Sequence, residues 1–183
     1  MTRTLVLGGA RSGKSAYAES LAHASGKEVV YIATGAGGDA EMTDRIAHHQ
    51  ARRPAHWRTV EEPLALAAAL QQWRARDRVV LVDCLTLWLS NLIFSDPAGH
   101  VEVGAVALPP RFHRERSALL EALAGDTGDV VLVSNEVGMG IVPLGAISRS
   151  YVDEAGRLNQ AVAAACDRVA FVAAGLPLLL KGA

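Results

Sequence analysis

The sequence predicts an α/β fold, a mainly parallel central sheet flanked by helices, on three observations. Short apolar runs alternate with longer helical patterns from end to end, the signature of βαβ units. Most of these runs carry consecutive Val, Leu or Ile without polar alternation, as strands do when helices cover both of their faces. A glycine-rich stretch, Gly8 to Ser15, joins the first apolar run directly to the first helical pattern. The length agrees, since 183 residues suit one domain spanning 1–183. Half of them are hydrophobic, and a chain this long buries roughly 70% of its unfolded surface without disulfides or a structural metal.

Taken in order, the expected strands are Thr4–Leu7, Val29–Ala33, Val79–Val82, Val130–Ser134 and Arg168–Ala173. Helices are expected over 14–25, 40–52, 63–76, 85–94, 111–124 and 146–166. Gly26 suits the stop after the first helix and Pro63 the first turn of the third. Between Ser95 and Pro110 the pattern lapses into Asp96-Pro97-Ala98-Gly99 and Pro109-Pro110, which reads as a loop.

Charge and cysteine usage narrow the function classes. Eighteen Lys and Arg against nineteen Asp and Glu leave a net charge of −1, so no global field draws nucleic acid. Cys84 and Cys166 sit in apolar segments without metal-ligand spacing, which suits a reducing compartment. Met1-Thr2-Arg3 runs straight into a strand with no signal-peptide core, and no stretch reaches about 18 uninterrupted apolar residues. The expectation is a cytoplasmic chain with no membrane span.

The strongest chemical signal is Gly8-Gly9-Ala10-Arg11-Ser12-Gly13-Lys14-Ser15, a full G-x-x-x-x-G-K-[ST] phosphate loop between strand and helix. Backbone N–H groups must wrap a phosphate chain, and only glycine lets the backbone come that close. Lys14 would bring a compact charge to the outer phosphates and Ser15 a hydroxyl for Mg²⁺, while the helix aims its positive end at the anion. The ion also needs a carboxylate. Asp83, closing Val79-Val80-Leu81-Val82, supplies one, although a capping role before Leu85 is the plainer alternative. Glu136, after another apolar run, is a second candidate for the metal.

The acceptor chemistry must come from elsewhere. Residues 45–59 pack three histidines and four arginines into fifteen positions. On a helix over 40–52, Met42, Ile46 and His49 share one stripe and His48 sits beside Asp44 on another, so the imidazoles face different ways. A packed, hydrogen-bonded histidine and a solvated arginine face account for this pattern. So does a site where a neutral imidazole attacks phosphorus while guanidinium groups hold the oxygens. The run Asn135-Glu136-Val137-Gly138-Met139-Gly140-Ile141-Val142-Pro143 follows a strand end, where α/β enzymes keep their ligands.

These segments, with Tyr31-Ile32-Ala33-Thr34, Arg53-Pro54-Ala55-His56-Trp57-Arg58-Thr59 and Gly156-Arg157-Leu158-Asn159-Gln160, resemble one family over nearly the whole chain. It is the bifunctional adenosylcobinamide kinase / adenosylcobinamide-phosphate guanylyltransferase family of the cobalamin pathway. The resemblance implies a RecA-like P-loop fold, trimeric assembly and two reactions. The first phosphorylates the aminopropanol hydroxyl of adenosylcobinamide with ATP or GTP; the second moves GMP from GTP onto adenosylcobinamide phosphate through a guanylylated histidine. It implies catalytic roles for Lys14 and for one of the His48-His49 pair, of which His49 is favoured because its stripe faces inward. Nucleotide contacts would fall on residues 8–15, on Ala33, Thr34 and Gly35, on Gln50, Ala51, Arg52 and Arg53, and on Glu61 and Asp83, with Ser15 and Asp83 holding Mg²⁺. The alternatives are a simple P-loop small-molecule kinase with structural histidines, and a nucleotide-driven switch or motor subunit. The missing N-K-x-D motif weakens the switch.

Overall fold

A computed structural model describes residues 1–35, 54–94 and 106–182. The strands are β1 (Arg3–Gly8), β2 (Glu28–Ala33), β3 (Arg58–Glu61), β4 (Arg78–Asp83), β5 (Asp129–Asn135), β6 (Arg168–Ala173) and β7 (Leu176–Lys181). The helices are α1 (Lys14–Ala24), α2 (Leu66–Trp73), α3 (Leu85–Ile93), α4 (Pro110–Ala124) and α5 (Ala146–Ala165). The strands form one sheet in the order β3-β2-β4-β5-β1-β6-β7, and every pairing is parallel except that of β6 with β7. The mainly parallel α/β architecture expected from the apolar runs is therefore present.

Alternate residues of the same runs feed opposite layers. Leu5, Ile32, Val80, Val82, Val130 and Leu132 pack with Leu70, Trp88 and Leu119 from helices on one face. Val6, Tyr31, Val79, Leu81 and Val133 pack with Ala18 and Ala22 of α1 and with Trp57 on the other. Burying both faces of five central strands explains why their residues need no polar alternation.

Two strands escape the apolar reading. β3 is four residues long at a sheet edge, with only Val60 half-buried, so it carries no apolar run. β7 is an antiparallel edge strand containing Pro177, a residue that central strands exclude. The helix expected at 63–76 is shorter. Glu62 Oε1 accepts the N–H groups of Leu64 (2.9 Å) and Ala65 (2.7 Å), so Pro63 lies in a turn ahead of the helix, not in its first turn. Gly26 does follow α1 at φ +66°, with its N–H on His23 O at 3.2 Å. The expected helix at 40–52 lies outside the described residues, as does most of the expected loop at 95–110.

Asp129 ties the start of β5 to the N-terminal segment. Its carboxylate accepts Thr2 N–H at 2.6 Å and Lys27 Nζ at 2.7 Å. Burial pulls its pKa upward, but these two donors outweigh that pull and hold it below the usual carboxylate range. A depressed folded pKa stabilises above the unfolded value, about 3.9, and the contribution is lost as pH falls through the folded one. Asp129→Asn should cost roughly 1–3 kcal/mol at pH 7. The gap between the thermal melts of variant and parent should narrow as pH falls below about 3.9, and a gap unchanged from its pH 7 size throughout acid titration would contradict the charge-based account.

Candidate functional site

Six parallel strands end at one edge of the sheet, and the register sets what meets there. Ala33 of β2 lies level with Glu61 of β3 and Asp83 of β4, and Gly8 of β1 lies level with Asn135 of β5 and Val172 of β6. The phosphate loop, Glu61, Asp83 and the segment after β5 thus share the carboxyl edge where open α/β sheets bind ligands.

The loop is shaped by contacts that only glycine permits. A Cβ on Gly8 would sit 2.5 Å from both Ser12 Oγ and Val172 O. Gly13 caps α1 at φ +94° with no side-chain cap, so the first N–H groups of the helix stay open to an anion. A Cβ on Gly13 would also lie 3.0 Å from Gly175 Cα, in the β6–β7 turn. That turn braces the loop from behind, Gly175 N–H donating to Ser12 O at 2.8 Å. Lys14 is only 9% exposed and donates from Nζ to Gly9 O at 3.2 Å, folded over the loop it would serve. Among the described residues no carboxylate pairs with it, which leaves a buried ammonium in want of an anion.

Gly13→Ala should therefore lower nucleoside triphosphate affinity at least tenfold, because both backbone strain and the Gly175 contact oppose it. Gly26→Ala, also at positive φ but facing open space, should cost about 1 kcal/mol of stability and leave affinity unchanged. Isothermal titration calorimetry of both variants checks the contrast.

Asp83 is not a helix cap: Cys84 occupies the N-cap of α3 without any side-chain capping bond. Its Oδ2 accepts the hydroxyl of buried Tyr31 at 2.8 Å, which orients the carboxylate. Thr34 is fully buried. Its hydroxyl donates to Cys84 O (2.7 Å) and accepts Cys84 N–H (2.8 Å), its N–H meets Asp83 O, and its carbonyl accepts Asn91 Nδ2. Thr34 thus holds the Asp83–Cys84 corner, while Ala33 and Gly35 flank it on the half-exposed surface. Glu61 is exposed at the end of β3. His48, His49, Gln50, Ala51, Arg52 and Arg53 lie outside the described residues.

Ser15, in the first turn of α1, and Asp83 suit a divalent ion that takes most of its oxygens from phosphate and water. Among the described residues no cluster of three or more His, Cys, Asp or Glu could form an all-protein cage, as such an ion does not require one.

A polar network behind the edge went unnoticed in the sequence. Asn135 Nδ2 donates to Thr86 Oγ1 (2.8 Å), and Tyr151 OH donates to Thr86 O (3.0 Å). Asn159 of α5 accepts Ser134 Oγ–H (2.7 Å) and donates to Asn135 O (3.2 Å). Together they fix the end of β5 beside the phosphate loop. Burial pushes the Cys84 thiol up and the Cys166 thiol to about 12, so neither supplies a thiolate at neutral pH.

Fold and loop together define a P-loop nucleotide-binding α/β protein. A similar fold occurs in an ATPase from the type III secretion system of pathogenic bacteria. Its TM-score is 0.58 at 14% identity, covering 97% of this chain and 56% of that one, a likeness of fold alone. Residues 4–180 match the family model described as CobU: Cobinamide kinase / cobinamide phosphate guanyltransferase, and the chain belongs to that family. The bifunctional adenosylcobalamin biosynthesis protein CobP of Pseudomonas aeruginosa is 58% identical over 180 residues, 98% of each chain. The bifunctional adenosylcobalamin biosynthesis protein CobU of Escherichia coli is 42% identical over 182 residues, 97% of this chain and 98% of the relative.

Proposed function

We propose that the chain is a bifunctional enzyme of cobalamin biosynthesis acting twice on one substrate arm. In the kinase step the aminopropanol hydroxyl of adenosylcobinamide attacks the γ-phosphorus of ATP or GTP. The bond to the β,γ-bridging oxygen breaks, the nucleoside diphosphate leaves, and the hydroxyl proton is released. In the second step an imidazole nitrogen of His49 attacks the α-phosphorus of GTP and pyrophosphate leaves. A phosphate oxygen of adenosylcobinamide phosphate then displaces the histidine, giving adenosylcobinamide-GDP.

The observation that carries this reading is Lys14, buried over a complete phosphate loop and unpaired with any carboxylate among the described residues, in a chain matched to its family over residues 4–180. Lys14 and the open N–H groups of α1 neutralise the triphosphate in both steps, and arginines near the histidine, Arg52 and Arg53, stabilise charge at the α-phosphorus. Ser15 and Asp83 would hold Mg²⁺, which supplies further charge neutralisation at the phosphates. Thr34 and Tyr31 keep Asp83 in place. Nucleotide contacts from Ala33, Gly35, Gln50, Ala51 and Glu61 complete the reading by family resemblance.

A homo-oligomer, a trimer by that resemblance, is supported by β7, an open edge whose Leu176, Leu178, Leu179 and Leu180 are all exposed. Among the described residues no helix is long and apolar enough to cross a membrane. Two buried free thiols favour the reducing cytoplasm, and no nucleic-acid partner is part of the reading.

The test mixes purified protein with adenosylcobinamide, Mg²⁺ and GTP and weighs the products by mass spectrometry. Sequential gain of phosphate and then GMP is expected. A phosphate-only product would reduce the chain to a simple kinase. Hydrolysis without corrinoid consumption would indicate a switch or motor.

A further inference from the structure

The segment that leaves β5 is unlike an ordinary strand-to-helix connection. Glu136 donates its N–H to Gly8 O at 3.1 Å, so the segment starts on the phosphate loop itself. Glu136 Oε1 then accepts Gly138 N–H at 2.7 Å. At the far end Arg149, in the first turn of α5, donates from Nη1 to the carbonyls of Pro143 and Leu144. Between these two pins, side chains that normally seek burial face outward: Met139 is 79% exposed, Ile141 98%, Val142 70% and Leu144 96%. Four such residues on a segment held at both ends contribute nothing to the stability of the lone chain. They flank a cavity of about 140 Å³, with Gly138 and Gly140 baring backbone and Asp153 on its rim.

We propose that residues 137–144 form the docking surface for the corrin macrocycle of the acceptor substrate, an inference that rests on the cobinamide reading above. Position is the first reason. The macrocycle is tethered through its aminopropanol arm to the hydroxyl that must reach the terminal phosphate, so it must rest one arm away from the loop 8–15. The segment begins on Gly8 O, at the first residue of that loop.

Chemistry is the second reason. A corrinoid offers broad apolar ring faces edged by carboxamide arms. The segment offers a broad aliphatic surface broken by bare glycine backbone, with a carboxylate at Asp153 able to accept amide N–H bonds. At about 140 Å³ the cavity is well below the 300–1,000 Å³ of a pocket that swallows its ligand, so it takes one substituent while the ring lies on the exposed side chains.

Form is the third reason. Among the described residues the other exposed apolar run, β7, is a strand edge with backbone groups to pair, which suits a second polypeptide. The 137–144 segment is neither strand nor helix, and the carbonyls of Pro143 and Leu144 are already spent on Arg149. It presents side chains to a small molecule.

The test is the double variant Ile141→Ser, Leu144→Ser, whose positions are exposed enough to leave the fold alone. Steady-state kinetics and equilibrium dialysis with adenosylcobinamide should show KM and Kd for the corrinoid raised at least tenfold, with kcat and the Kd for GTP within about twofold. If the parent enzyme consumes adenosylcobinamide and the variant binds it with unchanged Kd and KM, the docking assignment is wrong while the enzymatic reading stands. If the parent itself neither binds nor consumes adenosylcobinamide, the enzymatic reading fails and takes this inference with it. A variant that sediments as a smaller species than its parent would assign the segment to contact between copies and overturn the proposal.

Discussion

Lys14→Ala is expected to slow phosphorylation of adenosylcobinamide by roughly 10²–10³-fold, the range for removing one preorganised donor from developing charge. The variant should keep its melting temperature within a few degrees, because Lys14 Nζ makes only the 3.2 Å bond to Gly9 O among the described residues and supports no packed layer. The same substitution should also depress guanylylation, since one loop serves both positions of attack. Lys14→Arg should not rescue, because a planar guanidinium does not take the place of a compact ammonium that donates back to Gly9 O within its own loop. Rates measured with GTP and with ATP check both points. Loss of only one of the two activities would argue against a shared triphosphate site.

His49→Ala carries the second large effect. Guanylyl transfer should fall below detection, while phosphorylation stays within a few-fold of the parent, so adenosylcobinamide phosphate accumulates. The kinase step needs no imidazole nucleophile, and this separates the two activities. His48→Ala should retain both; the reverse outcome would move the nucleophile to His48. Attack requires an unprotonated imidazole nitrogen, so transferase activity should fall once pH drops below the pKa of that histidine.

The central strands were legible because burial on both faces removes polar residues from their runs, as in Val79-Val80-Leu81-Val82 and Val130-Val131-Leu132-Val133. The phosphate loop was legible because its chemistry is local, eight consecutive residues between one strand and one helix. Edge elements were not. Among the described residues β3 and β7 have one neighbouring strand each, all of β7 is exposed, and in β3 only Val60 packs against the core, so neither carries a continuous apolar run. Pro63 misled because proline suits both a first helical turn and the turn before it, and the deciding contact is the Glu62 carboxylate on Leu64 and Ala65.

The supporting polar residues were illegible for a different reason. Thr34 reads in the sequence only as a nucleotide contact within a motif, yet its hydroxyl serves both backbone groups of Cys84, 50 positions away. Asn159, noticed only within a motif, proves to clamp Ser134 and Asn135 from α5. Such roles exist only once register and helix docking have brought distant segments together. The sheet order decides them, and no spacing within a single segment encodes it.

The histidine intermediate is the claim that separates this account from a plain kinase, and it can be trapped without the acceptor. Protein incubated with Mg²⁺ and GTP labelled at the α-phosphate, then denatured and digested, should yield an acid-labile, base-stable label. Mass spectrometry should place one added GMP on the peptide containing His48 and His49. Unlabelled protein from a preparation that still phosphorylates adenosylcobinamide would contradict the account.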